Sequence, residues 1–279
     1  MTDLDRLGWA AGTAFRAYGQ RIGVRVSERS LIPELEAIAP PQREPLAEPR
    51  VRRLYSVIRG GEDGRRRGVR RFHLVYAQSQ RLSRTADLAE ALADLERDLE
   101  RYLAEQSRRL LFVHAGVVGW HGRAILVPGH SHSGKSTLVA ALLERGASYL
   151  SDEYALVDAR GRVHAYPRPL SLREAGEHWP RRRGLRLEAS PPPLRAGLVV
   201  LTRFEPGASW RPRRLGPGQA VLGLLRHTVP ARRDPARVLA RLARLVGSAR
   251  IVRGVRGEAG DAARRILELA GSGEELRRA

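Results

Sequence analysis

One segment narrows the folds open to this chain more than any other. Residues 123–146 run from an apolar stretch, RAILVPG, through GHSHSGKST into LVAALLERG. The apolar stretch predicts a strand, and Lys135 to Arg145 predicts a helix that Gly146 stops. A strand that ends in a glycine-rich turn and reopens as a helix aims main-chain N–H groups, and the positive end of the helix dipole, at one point. Gly129 to Ser136 fits the spacing G-x-x-x-x-G-K-[ST], in which Gly129 and Gly134 allow the tight turn. Lys135 would then neutralise β- and γ-phosphates, and the Ser136 hydroxyl would hold Mg²⁺, with Thr137 capping or assisting. His130, Ser131, His132 and Ser133 complete the cradle. A glycine- and serine-rich turn without a ligand is the alternative for the same residues.

Lys135 is also the only lysine in the chain. Lys and Arg together number 50, so 49 of them are arginine, against 30 Asp and Glu, and the formal net charge is +20. Such a charge raises nucleic acid as a partner. The arginines are spread along the whole length, however, as in Arg65–Arg67, Arg181–Arg183 and Arg277–Arg278, with few aromatics between them to stack on bases. A general preference for arginine explains them better, and nucleic acid is not the expected partner. Against that preference, one position holds a compact ammonium group on a flexible stem, which can enter between phosphate oxygens where a planar guanidinium cannot.

Cysteine is absent, which excludes disulfides, thiolate zinc sites and cysteine nucleophiles. No apolar run approaches the roughly 20 residues of a membrane-spanning helix, and the start MTDLDRLGWAAG lacks the basic and apolar regions of a secretory signal. The expectation is a cytoplasmic protein with no membrane partner. At 279 residues, the chain has room for a small α+β domain at 1–107 and a larger α/β domain at 108–279. In the first, strands are expected at 22–26, 53–58 and 72–77, the last two as a hairpin. A helix over 86–106 carries a leucine stripe (Leu88, Leu92, Leu95, Leu99, Leu103) and Thr85 as N-cap. In the second, strands are expected at 110–113, 116–120, 123–127, 148–150, 154–157, 163–166 and 197–204. Helices are expected at 135–145, 217–228, 235–247 and 259–269, and an irregular loop at 174–195.

Two other classes of nucleotide-binding protein fit poorly. A small GTPase needs a second lysine to read its base, and none exists. LGPGQ at 215–219 is a poor copy of a transporter ATPase signature.

Asp152 and Glu153 follow in YLSDEYALVD, after the next strand, where one carboxylate could bind Mg²⁺ and the other orient or deprotonate an attacking hydroxyl. A solvated acidic turn is the alternative. The span LFVHAGVVGWHGRAILVPGHSHSGKSTLVAALLERGASYLSDEYALVD resembles the catalytic domain of the HPr kinase/phosphorylase family. That bacterial family phosphorylates a serine on a carrier protein, and its nucleotide core is similar to phosphoenolpyruvate carboxykinase. The likeness covers residues 108–170 well, weakens through 210 and does not reach residues 1–100. It implies an α/β P-loop nucleotide-binding core of the HPr kinase/PEP carboxykinase type.

His114 matches the family's upstream histidine, while Gly129, Gly134, Lys135 and Ser136 match its loop. Asp152 and Glu153 match its aspartate pair. The element around His114 is HAG rather than HG, His132 replaces a loop glycine, and Glu153 replaces an aspartate. His114 also reads as a core histidine on a buried strand, and His130 with His132 lacks a third ligand for zinc. Arg168 and Arg173 are candidates for stabilising transferred charge. The family's glycine-rich signature for phosphorolysis has no counterpart here.

The resemblance implies an ATP- and Mg²⁺-dependent kinase, a homo-oligomer in the manner of the family, acting on a serine-type hydroxyl of a protein or peptide. Residues 1–107 are the candidate for acceptor recognition. A nucleotide-binding regulator with little turnover and a small-metabolite kinase are the alternatives.

Overall fold

The computed structural model describes residues 3–48, 50–61, 72–130, 133–172, 181–183 and 191–278. The chain divides into two compact units, Met1–Arg108 and Arg109–Ala279. The architecture is mixed α/β, with two large mixed sheets, a two-stranded ribbon and six α-helices among the described residues. None of these helices is long and apolar enough to cross a membrane.

The first unit comprises β1 (Ala11–Ala17), β2 (Gln20–Val26), α1 (Ile32–Ile38), β3 (Glu44–Pro45), β4 (Arg53–Ile58), β5 (His73–Ala77), β6 (Gln80–Thr85) and α2 (Leu88–Gln106). Its sheet order is β3-β1-β2-β4-β5-β6, with β2 and β4 parallel. The expected pairing of 53–58 with 72–77 is present as antiparallel β4 and β5, from Tyr55↔Ala77 to Ile58↔Leu74. Residues 62–71 between them lie outside the described residues. Helix α2 buries Leu92, Leu95, Leu99 and Leu103 in the core of this unit. Its N-cap is Asp87, which accepts from the Ala89 N–H, rather than Thr85. The Thr85 hydroxyl accepts from the Asp87 N–H instead, so both side chains order the same turn.

The second unit comprises β7 (Leu111–Trp120), β8 (Arg123–Pro128), α3 (Lys135–Leu143), β9 (Ser148–Ser151), β10 (Tyr154–Val157), β11 (Arg162–His164), β12 (Leu170–Leu172), β13 (Arg181–Arg183), β14 (Leu194–Phe204), β15 (Arg213–Arg214), α4 (Pro217–Leu225), α5 (Pro235–Gly247), β16 (Arg250–Arg256) and α6 (Ala259–Arg278). The runs expected at 110–113 and 116–120 form one strand, β7. His114 pairs with Tyr154 and Ala115 with Pro128, so neighbours on both sides hold the intervening residues extended. The strand β16 was not expected. Apart from β13 and the start of β14, the segment 174–195 lies largely outside the described residues.

The main sheet follows the order β11-β10-β7-β8-β14-β16-β15. Strands β8, β14 and β16 are parallel, so their carboxyl ends lie side by side. Both faces of the sheet are covered. Along β8, Ala124 and Leu126 share a core with α4 and α5, while Ile125 and Val127 share one with α3 and α6. This explains why β8 reads as an unbroken apolar run rather than an alternating one.

Strands β9 and β10 run in succession along the same edge of β7. β9 lies opposite Val117–Gly119 and β10 opposite Leu111–His114. They amount to one strand interrupted at Asp152–Glu153. Buried Ser151 makes the interruption: its Oγ accepts from the N–H groups of Glu153 (3.1 Å) and Tyr154 (3.0 Å). An irregularity of this kind redirects side chains that a regular strand would send to alternate faces.

Candidate functional site

The end of β8, the loop after it and the break between β9 and β10 meet at one place. At the loop's start the Gly129 N–H donates to the His114 carbonyl (3.2 Å), which ties it to β7. A Cβ on Gly129 would come within 2.5 Å of Ser133 Oγ. Gly134 is the residue before α3, with φ +78°, a left-handed conformation that favours glycine. A side chain there would also collide with Arg256. Ser131 and His132 lie outside the described residues, as does Arg173. His130 and Thr137 are exposed, and Ser133 and Ser136 are half-buried.

Lys135 opens α3 and is 7% exposed. Its Nζ donates to the His130 carbonyl at 2.8 Å. Burial lowers its pKa, against the opposing charges of Glu153 and Asp152. One turn of helix therefore carries an ammonium group facing two carboxylates.

The two acids have different surroundings. Asp152 is 3% exposed. Its Oδ2 accepts from the Ser136 hydroxyl (3.1 Å), and its Oδ1 lies 3.0 Å from the Tyr149 hydroxyl, which is also 2.7 Å from the Arg168 carbonyl. Burial and the Asp152 charge raise the Tyr149 pKa, so the phenol keeps its single proton and shares it between these acceptors.

The side chain of Glu153 is 37% exposed, and its Oε1 lies 3.2 Å from His114 Nε2. Burial works to raise the Glu153 carboxyl, but the His114 hydrogen bond and charge, then Lys135 and Arg168, outweigh it and hold it below the ordinary carboxylate range. An ionised carboxylate only accepts, so Nε2 of His114 carries the proton in this contact. Arg168 is buried, with its Nε 3.4 Å from the Tyr166 hydroxyl.

The Ser136–Asp152 pair is a hard oxygen donor set of the kind Mg²⁺ takes when substrate phosphates and water complete its shell. No group of three or more His, Cys, Asp or Glu among the described residues could hold a metal by itself, and Mg²⁺ in a phosphate site does not require one.

Four neighbours escaped the sequence reasoning. Ser151 and Tyr149 set the acids from one side. His227, just after α4, offers its carbonyl to the His114 N–H (2.7 Å) and its ring to His130 (centroids 4.5 Å apart). Arg256, the last residue of β16, donates through Nη2 to the Gly134 carbonyl at 3.0 Å. Only Arg256 left a signal, since RIVRGVR has the composition of a strand. Arg256 and His227 also line a cavity of about 1100 Å³ at the carboxyl ends of β8, β14 and β16.

Burial, then the charges of His130, His114, Lys135 and Arg226, pull the His227 imidazole from 6.5 down to about 4. It is neutral at pH 7. Between those values the unfolded chain takes up the proton first, so stability is complete above pH 6.5 and declines as pH falls toward 4. The interval corresponds to about 3 kcal/mol at its limit, and ~1–2 kcal/mol once solvent reaching the ring is allowed for. Denaturant midpoints from pH 7 to 4 check this: His227→Gln should flatten the decline, and an unaltered slope would exclude His227 as its source.

No protein-family model matches the chain, and no curated protein matches it.

Proposed function

We propose that the second unit is an ATP- and Mg²⁺-dependent kinase with a P-loop core of the HPr kinase/PEP carboxykinase type, acting on a serine-type hydroxyl of a protein or peptide. One observation carries this reading. The only lysine of the chain is buried at the start of α3, facing one carboxylate bonded to Ser136 and another bonded to His114.

In this reading the loop amides and the start of α3 receive the phosphates, and Lys135 binds between their oxygens. Mg²⁺, held by Ser136 and Asp152 together with phosphate oxygens, would offset the charge of the triphosphate. Tyr149 keeps the Asp152 carboxylate in place. Glu153 receives the acceptor hydroxyl, and His114 holds Glu153 ionised and oriented. The hydroxyl oxygen bonds to the γ-phosphorus as the bond to the bridging oxygen breaks, its proton passes to Glu153, and ADP leaves.

A carboxylate held below its usual range is a weak base, so the proton moves late, after the new P–O bond has largely formed. A loose phosphoryl transition state demands little more of a base than alignment.

Calorimetric titration with ATP, with and without Mg²⁺, tests the metal assignment. Mg²⁺ should tighten wild-type binding about tenfold, or about 1.4 kcal/mol, and Asp152→Asn should lose most of that gain. Equal affinity with and without the ion would count against the reading. Metal-dependent binding without transfer to any acceptor would favour a nucleotide-binding regulator.

A further inference from the structure

Exposed arginines mean little in a chain that has 49 of them, 50 cations less one lysine. Arg256 is a different case, because it is 2% exposed. Its Nη2 donates to the Gly134 carbonyl (3.0 Å) and its Nη1 to the Gly257 carbonyl (3.1 Å). Its Nε is buried and has no hydrogen-bond partner among the described residues. The Phe204 ring lies 5.3 Å from the guanidinium carbon.

Among the described residues no carboxylate comes within ion-pair distance of it. Burial lowers its pKa, and Glu258 is the only charge opposing that. A buried cation held by neutral groups alone is costly, since ions leaving water lose several kcal/mol unless an opposite charge replaces the solvent. Among the described residues none does so at ion-pair distance, which leaves a place for the counter-charge of a ligand.

The surroundings indicate its chemistry. Arg256 lines the cavity together with Gly129, His130, Ser133 and Gly134 of the loop and Thr137 of α3. Arg203, Arg211, Arg213, Arg226 and Arg253 line it as well, against one carboxylate among the described residues, Glu258. Of these arginines, Arg203 is paired with Glu205 at 3.1 Å. The cavity lies where three parallel strands end, the usual position for ligands in open α/β sheets. Its volume of about 1100 Å³ is at the top of the range for small-molecule sites. A nucleoside is neutral and gives so many cations nothing to neutralise.

We propose that this cavity is a phosphate-ester site that adjoins the loop before Lys135 and extends past it, with Arg256 as its fixed cation and Arg253 and Arg226 at its rim. The ligand is a phosphate-ester anion, from either of two sources: the inner phosphates of a bound nucleotide, or the phosphate group of a separate small molecule. The site stands on Arg256 and the cavity; its nucleotide arm rests on the kinase reading, and its small-molecule arm does not.

Calorimetry with glycerol 3-phosphate and with Mg·AMP-PNP, on the full chain, tests the proposal. The proteins are wild type, Arg256→Gln, Arg253→Gln and Lys135→Ala, each first checked for an intact thermal transition. Arg256→Gln should weaken at least one of the two ligands roughly tenfold or more, as expected on losing a buried charge-assisted contact. Arg253→Gln, at an exposed position, should weaken the same ligand about two- to fivefold.

Glycerol 3-phosphate that still binds with Mg·AMP-PNP saturating identifies a separate small molecule. If only Mg·AMP-PNP responds to Arg256→Gln, the inner phosphates are the ligand. Unchanged affinity for both ligands in Arg256→Gln overturns the proposal. Should that variant not fold, unchanged affinity for both in Arg253→Gln overturns it. The kinase reading fails by a different result, undiminished Mg·ATP binding in Lys135→Ala, which would leave the Arg256 outcome standing.

Discussion

Replacing Lys135 with alanine should weaken Mg·ATP binding about a hundredfold and remove phosphoryl transfer, while the thermal midpoint holds or rises. Lys135 is 7% exposed, and burial lowers its pKa. Among the described residues its one hydrogen bond is to the His130 carbonyl, so the folded chain loses little with it. The triphosphate loses a charge-assisted contact to at least two phosphate groups, about 3 kcal/mol or two decades of affinity.

Lys135→Arg should not rescue binding. The loop encloses a point charge at the start of α3, and Gly129 leaves no slack there: a Cβ on it would meet Lys135 Cγ at 3.3 Å. A planar guanidinium does not fit that space. Mg·ATP affinity within twofold of wild type in Lys135→Ala would end the kinase reading, whatever the likeness in sequence.

The second large effect is at Glu153. Glu153→Gln keeps the shape and removes the charge, so transfer should fall by about 10²–10⁴ while Mg·ATP affinity stays within about threefold, since other residues hold the phosphates. The variant also separates Glu153 from Asp152, whose loss should act on metal-dependent binding.

The pH profile supplies a further check. Because the folded carboxyl lies below its ordinary 4.5, its charge, and the stability that goes with it, are present at neutral pH and lost only as pH falls through the lowered value. His114→Ala removes the first of the groups that hold it down and leaves burial, which acts the other way. The acid limb of the transfer rate should therefore move to higher pH in His114→Ala. A limb that does not move would reduce His114 to a packing residue on β7.

The difference between these two acids could not have been read from the letters DE. In sequence they form an acidic pair after a short strand, open to a solvated turn as the alternative. In the structure Ser151 breaks the strand beside them, so that Asp152 turns inward to Ser136 and Tyr149 while Glu153 stays within reach of solvent and of His114. The break depends on β7, because β9 and β10 pair with different parts of that one strand. The expectation of two strands at 110–113 and 116–120 failed for the same reason: partners far along the chain carry β7 through His114 and Ala115.

What the sequence by itself determined is local. The strand–loop–helix of β8 and α3 and the leucine stripe of α2 follow from patterns within about 20 residues, where backbone propensity, periodicity and capping operate, and the singular lysine from composition. Tertiary structure alone decided what surrounds that lysine. Arg256 reaches the Gly134 carbonyl across 122 residues of chain, and His227 meets His114 and His130 only because α4 returns to the same end of the sheet. Strand order and register come from burying both faces of one sheet under four helices, and no short window of residues contains that balance.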